Sequence, residues 1–357
     1  MEQISRLMSV ADYVKKEFEY RKKCSEAFCK CTYGDKNKNI RFRILNNLSP
    51  SRRAQGLIST VAEVLPSIMD ARKQGYIPVV DLGWNRGFQS LMQERESWLK
   101  RENAWEYYFT QPEKWISLQE VRESKYVEKQ IKWYRDCNRF DFNQFYNQND
   151  KRWQSVSYAL RKNIHLQKDI KDRVKREKQK LFPKETKILG VGIRASYRRG
   201  ILQNEALFHR HALVGSCEDY IRNIEKRLSD WKYDAFFLAV DDRGYLEEIK
   251  KYFGASCICL DRARTHCFKN ARLDIPYLAT DSNNIRIEFE DISIREQNED
   301  YLTELYLLAQ CDSLYASRGT GHTFAYLMNG GKYTHVEFED LGSFDYKNEN
   351  KSKDAKE

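Results

Sequence analysis

Three short segments, Ile188-Leu189-Gly190-Val191-Gly192-Ile193, Ala235-Phe236-Phe237-Leu238-Ala239-Val240 and Cys257-Ile258-Cys259-Leu260, are apolar at nearly every position. A strand with one wet face alternates apolar and polar side chains, so strands without a polar face must be covered on both sides. The segments Ser216 to Leu228, Tyr245 to Phe253 and Tyr301 to Gln310, which lie between or after them, carry apolar residues at helical spacing. Strand and helix in alternation predict a parallel sheet with helices on both faces, an α/β fold.

The first third repeats the pattern. Ile40-Arg41-Phe42-Arg43-Ile44 alternates as a strand, Leu57 to Gln74 has a helical stripe ending at Gly75, and Tyr76 to Leu82 is a β-branched run that closes on a carboxylate. At 357 residues the chain exceeds the roughly 250 to 300 at which single cores stop growing. Two domains are expected: residues 1–180, an α/β domain with aromatic and helical insertions, and residues 181–345, followed by a charged flexible tail at 346–357. Within the first, Asn103-Ala104-Trp105-Glu106-Tyr107-Tyr108-Phe109 could stack on a sugar face or anchor a loop on the core, the second being the commoner use of aromatics. Residues 151–180 form a basic helical stretch with Leu166, Ile170 and Val174 on one stripe. It suits a solvated linker between domains, or a face toward membrane or RNA.

Net charge is +10, which favours anionic partners without choosing among them. Basic residues are mixed with 52 acids, and neither RNP-type aromatic motifs nor Cys/His fingers occur, so nucleic acid is not the expected partner. The nine cysteines are an odd number and no apolar leader follows Met1, which points to reduced thiols and a cytoplasmic protein. Cys24, Cys29 and Cys31 lack a usual zinc spacing. No run of about 18 apolar residues is present to span a bilayer, while basic surface leaves peripheral attachment open.

In open α/β sheets, ligands gather beyond the carboxyl ends of the strands. Arg194 and the pair Asp241-Asp242 stand at such ends. So does the turn Ser317-Arg318-Gly319-Thr320-Gly321, which joins a strand at Ser313 to a helix that stops at Gly330. A helix start rich in glycine and hydroxyls presents backbone N–H groups to an anion, although the same residues make ordinary caps. The turn lacks the lysine and spacing of a P-loop. Arg194 offers a planar fork for phosphate. Asp241 and Asp242 could accept from a ribose or base, or cap the next helix. With Arg243 following, they make a poor divalent cage, so no metal is expected.

Leu189 to Arg194, His211 before Glu218-Asp219-Tyr220-Ile221, Phe237 to Asp242 and Glu304 to Gly331 together resemble the donor half of the α1,6-fucosyltransferase-like superfamily, in particular its bacterial members. Gly75 to Asp81 and Asn103 to Pro112 are similar to those members too, so the resemblance spans roughly residues 56 to 340. It implies a GT-B fold, with two Rossmann-like domains facing a cleft. It also implies inverting, metal-independent transfer of fucose from GDP-fucose to a hydroxyl of a bacterial surface glycan. On this resemblance Arg194 contacts the β-phosphate and is catalytic, Thr320 binds the same diphosphate, and Glu304 takes the place of an aspartate that reads guanine. Asp241, Asp242, Ser317, Gly319, Gly321 and His211 complete the donor site. No cofactor beyond the co-substrate is implied. The partners are a nucleotide sugar and a glycan or lipid-linked oligosaccharide, met in the cytoplasm or at the inner face of the membrane. The family's His-x-Arg-x-Thr-Asp reads here Gly192-Ile193-Arg194-Ala195-Ser196-Tyr197, so the histidine and aspartate are replaced. That change admits a different nucleotide sugar, or a protein that binds a nucleotide without turnover. A basic RNA- or membrane-surface binder is the remaining alternative, and its binding would collapse with salt.

Overall fold

The structure, a computed structural model, describes residues 26–46, 56–82, 103–131, 142, 152–195, 212–262 and 294–342. His211, the basic loop after Ala195 and the tail at 346–357 lie outside the described residues. The chain divides into two compact units. One comprises Met1–Gly56, Thr60–Asp141 and Lys162–His165, the other Leu57–Ser59, Phe142–Arg161 and Leu166–Glu357.

In chain order, the first unit contains β1 (Phe28–Cys31), β2 (Lys36–Leu45), most of α1 (Leu57–Lys73), β3 (Ile77–Val80), a 3₁₀ turn (Ala104–Tyr107), α2 (Leu118–Val121) and β4 (Ser124–Gln130). Its sheet has the order β1-β4-β2-β3, with β1 antiparallel to β4 and the other pairs parallel. Val61, Val64, Leu65 and Ile68, the predicted stripe of α1, are fully buried. Trp105, Tyr108 and Phe109 are buried as well, so these three rings anchor a segment on the core, while Tyr107 beside them is half-buried. Asn103 and Gln111 explain the anchoring. The Asn103 amide donates to the Val80 carbonyl at 2.7 Å and accepts from Leu82 N–H at 3.0 Å, while Gln111 accepts from Val80 N–H at 2.9 Å. Side-chain amides thereby satisfy the edge of β3, which otherwise exposes unpaired backbone groups.

The second unit contains α3 (Arg152–Asn163, as far as Arg161), α4 (Lys168–Leu181), β5 (Ile188–Ile193), α5 (Cys217–Trp231), β6 (Ala235–Val240), α6 (Arg243–Phe253), β7 (Cys257–Ile258), α7 (Ile294–Leu308), β8 (Ser313–Ser317), α8 (Thr320–Asn329) and β9 (Val336–Glu339). Its five strands run in the order β7-β6-β5-β8-β9 and every pair is parallel. This is the α/β class that the apolar runs predict. Because side chains alternate across a strand, Leu189, Val191 and Ile193 share one face of β5 and Gly190 and Gly192 the other. The first three join Tyr220 and Ile224 of α5 and Ile249 of α6 in one core cluster. On the glycine face, a Cβ at Gly190 would lie 2.8 Å from Leu308 of α7, and one at Gly192 2.7 Å from His322 of α8. Two missing side chains let those helices approach the strand closely.

The basic stretch at 151–180 is two helices rather than one linker. Ser157 of α3 donates to the Leu327 carbonyl at 2.6 Å and Trp153 packs on Tyr326, ring centroids 5.3 Å apart. α4 packs on α7, burying Ile170 and Val174 and pairing Arg173 with Asp300. The apolar stripe thus has a partner, and both helices fall mostly with the C-terminal sheet instead of ahead of a boundary at 180.

Candidate functional site

The strand order reverses direction between β5 and β8: from β5 the chain proceeds outward to β6 and β7, then returns to lay β8 and β9 on the opposite side. Connections diverge at such a switch point and leave a crevice at the carboxyl ends of the two strands. Arg194 follows β5 directly and the Arg318–Gly319 turn follows β8. The two are tied together by a hydrogen bond from Arg194 N–H to Ser317 Oγ at 2.9 Å. The Arg194 guanidinium pairs with Asp241 at the end of β6, Nη1 to Oδ2 2.7 Å, and keeps a third of its side-chain surface (34%) in solvent. The pairing fixes the direction of the fork, and the remaining exposure allows an anion to reach it.

α8 begins at Thr320 with Gly319 as N-cap and no side-chain cap. The Gly319 carbonyl accepts from Thr323 N–H at 3.0 Å, which closes the first turn. A side chain at Gly321 would collide with the hydroxyl of Tyr301, so α7 lies directly against the start of α8. Hence Ser317, Gly319, Thr320 and Gly321 converge with Arg194 and Asp241 on one rim.

Asp242 and Glu304 have other company. Asp242 is fully buried and its Oδ1 accepts from Tyr245 N–H at 3.1 Å, capping α6. Glu304 is 2% exposed and forms an ion pair of 2.5 Å with Arg262, which also donates to the Val240 carbonyl at 3.1 Å. Through Arg262, Glu304 is bound to the carboxyl end of β6.

His322, in the first turn of α8, is 6% exposed. Its Nδ1 lies 2.8 Å from the Ser317 carbonyl, an acceptor, so the Nδ1 proton is present and Nε2 carries the lone pair in the neutral ring. Burial lowers its pKa, and the Arg194 charge adds to this. The Ser317 carbonyl, Asp241 and Glu304 act in the opposite direction. The ring occupies the space beside Gly192, where a Cβ would meet Cδ2 at 2.7 Å and Nε2 at 2.9 Å. Gly192→Val is therefore expected to cost about 1–3 kcal/mol through overpacking. Urea unfolding of Gly192→Val, His322→Ala and the double variant checks it, since the double variant should recover much of the loss if the ring is the obstacle.

Arg262, Tyr301 and His322 are the site residues that sequence reasoning passed over. His322 stands inside the glycine-rich stretch and a lone histidine there is a signal, whereas nothing local marks Arg262 or Tyr301. Among the described residues no group of three or more His, Cys, Asp or Glu side chains is placed to hold a metal ion, and no helix is long and apolar enough to cross a membrane.

No protein-family model and no curated protein matches the chain. Among solved structures it is similar to the fucosyltransferase NodZ from Bradyrhizobium, at 14% identity and a TM-score of 0.43, over 82% of this chain and 94% of that one. It is also similar to a variant of Arabidopsis thaliana FUT1 in complex with GDP, at 10% identity and a TM-score of 0.41, over 86% of this chain and 71% of that one. A third likeness is to POFUT1 in complex with GDP, at 9% identity and a TM-score of 0.41, over 85% of this chain and 98% of that one. At such values they assign no role to any residue of this chain.

Proposed function

We propose that this protein is a fucosyltransferase-like glycosyltransferase that moves fucose from GDP-fucose to a hydroxyl of a bacterial surface glycan, with inversion and without a metal. The observation that carries the reading is the junction of Arg194 with the start of α8 at the β5/β8 switch point. A cation and the N–H groups of a helix start, side by side, suit a diphosphate. As the bond from the sugar carbon to the β-phosphate oxygen breaks and the acceptor oxygen bonds that carbon, negative charge builds on the departing diphosphate. Arg194 and the α8 turn stabilise it, and the acceptor proton leaves to a base outside this cluster. Asp241 orients Arg194, whereas Asp242 and Glu304 support the rim from beneath.

The test is a thermal-shift panel of GDP, UDP, CDP, ADP and GDP-fucose without added metal. A ligand that binds only the folded state at 100 times its Kd adds about 2.7 kcal/mol of stability. Selective shifts with GDP and GDP-fucose are expected, with slow release of GDP from GDP-fucose. Preference for another nucleotide changes the donor, binding without hydrolysis leaves a nucleotide-binding protein, and no shift at all removes the nucleotide reading.

A further inference from the structure

His322 is not used by the chemistry above, yet it is held with unusual definition. Its ring is buried between β5 and α8 in space that only a glycine at 192 leaves open. Its Nδ1–H is committed to the Ser317 carbonyl, and Nε2 meets no hydrogen-bond partner among the described residues. The same ring lies within the electrostatic reach of Arg194, Asp241 and Glu304, the charged groups of the rim.

We infer that His322 is a specificity-determining residue of the donor site, accepting at Nε2 a hydrogen bond from an N–H or O–H of the bound nucleoside diphosphate. The inference rests on the nucleotide reading of the preceding subsection. The Ser317 carbonyl fixes the tautomer, so the ring can only accept at Nε2 while it is neutral. Protonation makes Nε2 a donor and turns the contact repulsive toward the same ligand group. Because burial holds the ring below its ordinary pKa, the contact persists at neutral pH and is lost as pH falls through that lowered value. The other charged groups bearing on the ring are Arg194 at the end of β5, Asp241 at the end of β6 and Glu304 on α7.

The experiment measures GDP affinity by calorimetry between pH 5 and 8 for the wild type and for His322→Ala, His322→Asn and His322→Gln, with folding checked by urea unfolding. Glutamine places an acceptor where Nε2 stands; asparagine places a group only near Nδ1. The Ala and Asn variants should bind about tenfold or more weakly, and Gln within about threefold of wild type. The wild type should weaken at acid pH while His322→Gln stays level. Folded Ala and Asn variants that bind like wild type would overturn the assignment, as would a Gln variant as weak as Ala. Retained binding in His322→Ala together with its loss in Arg194→Ala overturns His322 alone. A wild type that binds no nucleotide overturns the donor site itself and this residue's role with it.

Discussion

Glu304→Leu is expected to lower folding stability by about 3–5 kcal/mol, because it strands the guanidinium of Arg262 in the interior. Both side chains are withdrawn from water, 2% exposed for Glu304 and 8% for Arg262, so neither can recover hydration when its partner goes. The Val240 carbonyl that Arg262 also contacts supplies a hydrogen bond but no countercharge. Asp241 and Asp300 lie near enough to favour the charged arginine, yet each already has a cation, Arg194 and Arg173 respectively. For a unit of this size the loss corresponds to a fall in Tm of roughly 6–20 °C. Removing both charges as Glu304→Leu with Arg262→Met should restore most of it, since a buried pair often does little better than apolar side chains of similar volume. Circular-dichroism melts of the single and double variants decide the matter: a single variant that melts within a degree or two of wild type means the pair is solvated in solution. Nucleotide selectivity measured on Glu304→Gln, which keeps the shape and an acceptor, separates support of the rim from direct reading of a base.

The rim was legible in the sequence because the strands that define it are bounded apolar runs. β5, β6 and β8 end where the chemistry turns polar, at Arg194, Asp241 and Arg318. What escaped is what depends on partners far away in the chain. β4 carries Lys125, Glu128 and Lys129, and its charge conceals a strand lying between β1 and β2. Glu128 is drawn inside by Arg43 of β2, 2.7 Å from Nη2, and that arginine is itself buried and stacked on Phe28 and Tyr76. An alternating Arg-Phe-Arg reads as one wet face until its acids are found. β9, Val-Glu-Phe-Glu, is missed for the same reason: as an edge strand it tolerates charge, and Glu337 and Glu339 are engaged by Arg227 and Tyr315. Gly192 shows the limit within the site. In the sequence it is only a small residue near a strand end, whereas in the fold the ring of His322 lies over that position.

Arg194→Ala is expected to slow transfer by about 10²–10³-fold, the cost of removing one preorganised stabiliser of a departing anion. The fold should survive. The hydrogen bond that joins β5 to β8 here comes from the Arg194 backbone N–H, which every substitution except proline keeps, and the side chain is already a third exposed. Asp241 then loses its cation and, next to an incoming diphosphate, becomes a repulsive neighbour, so part of the deficit should appear as weaker GDP binding. Arg194→Ala with Asp241→Asn removes that repulsion and should recover affinity without recovering turnover, which assigns the two effects to separate side chains. Arg194→Lys should rescue only partly, because a point charge cannot hold Asp241 and a phosphate oxygen with one planar fork. GDP release from GDP-fucose, followed with and without acceptor for the wild type and the three variants, gives the comparison. Wild-type rates in the alanine variant would leave the start of α8 as the sole stabiliser of the leaving group and remove Arg194 from the chemistry.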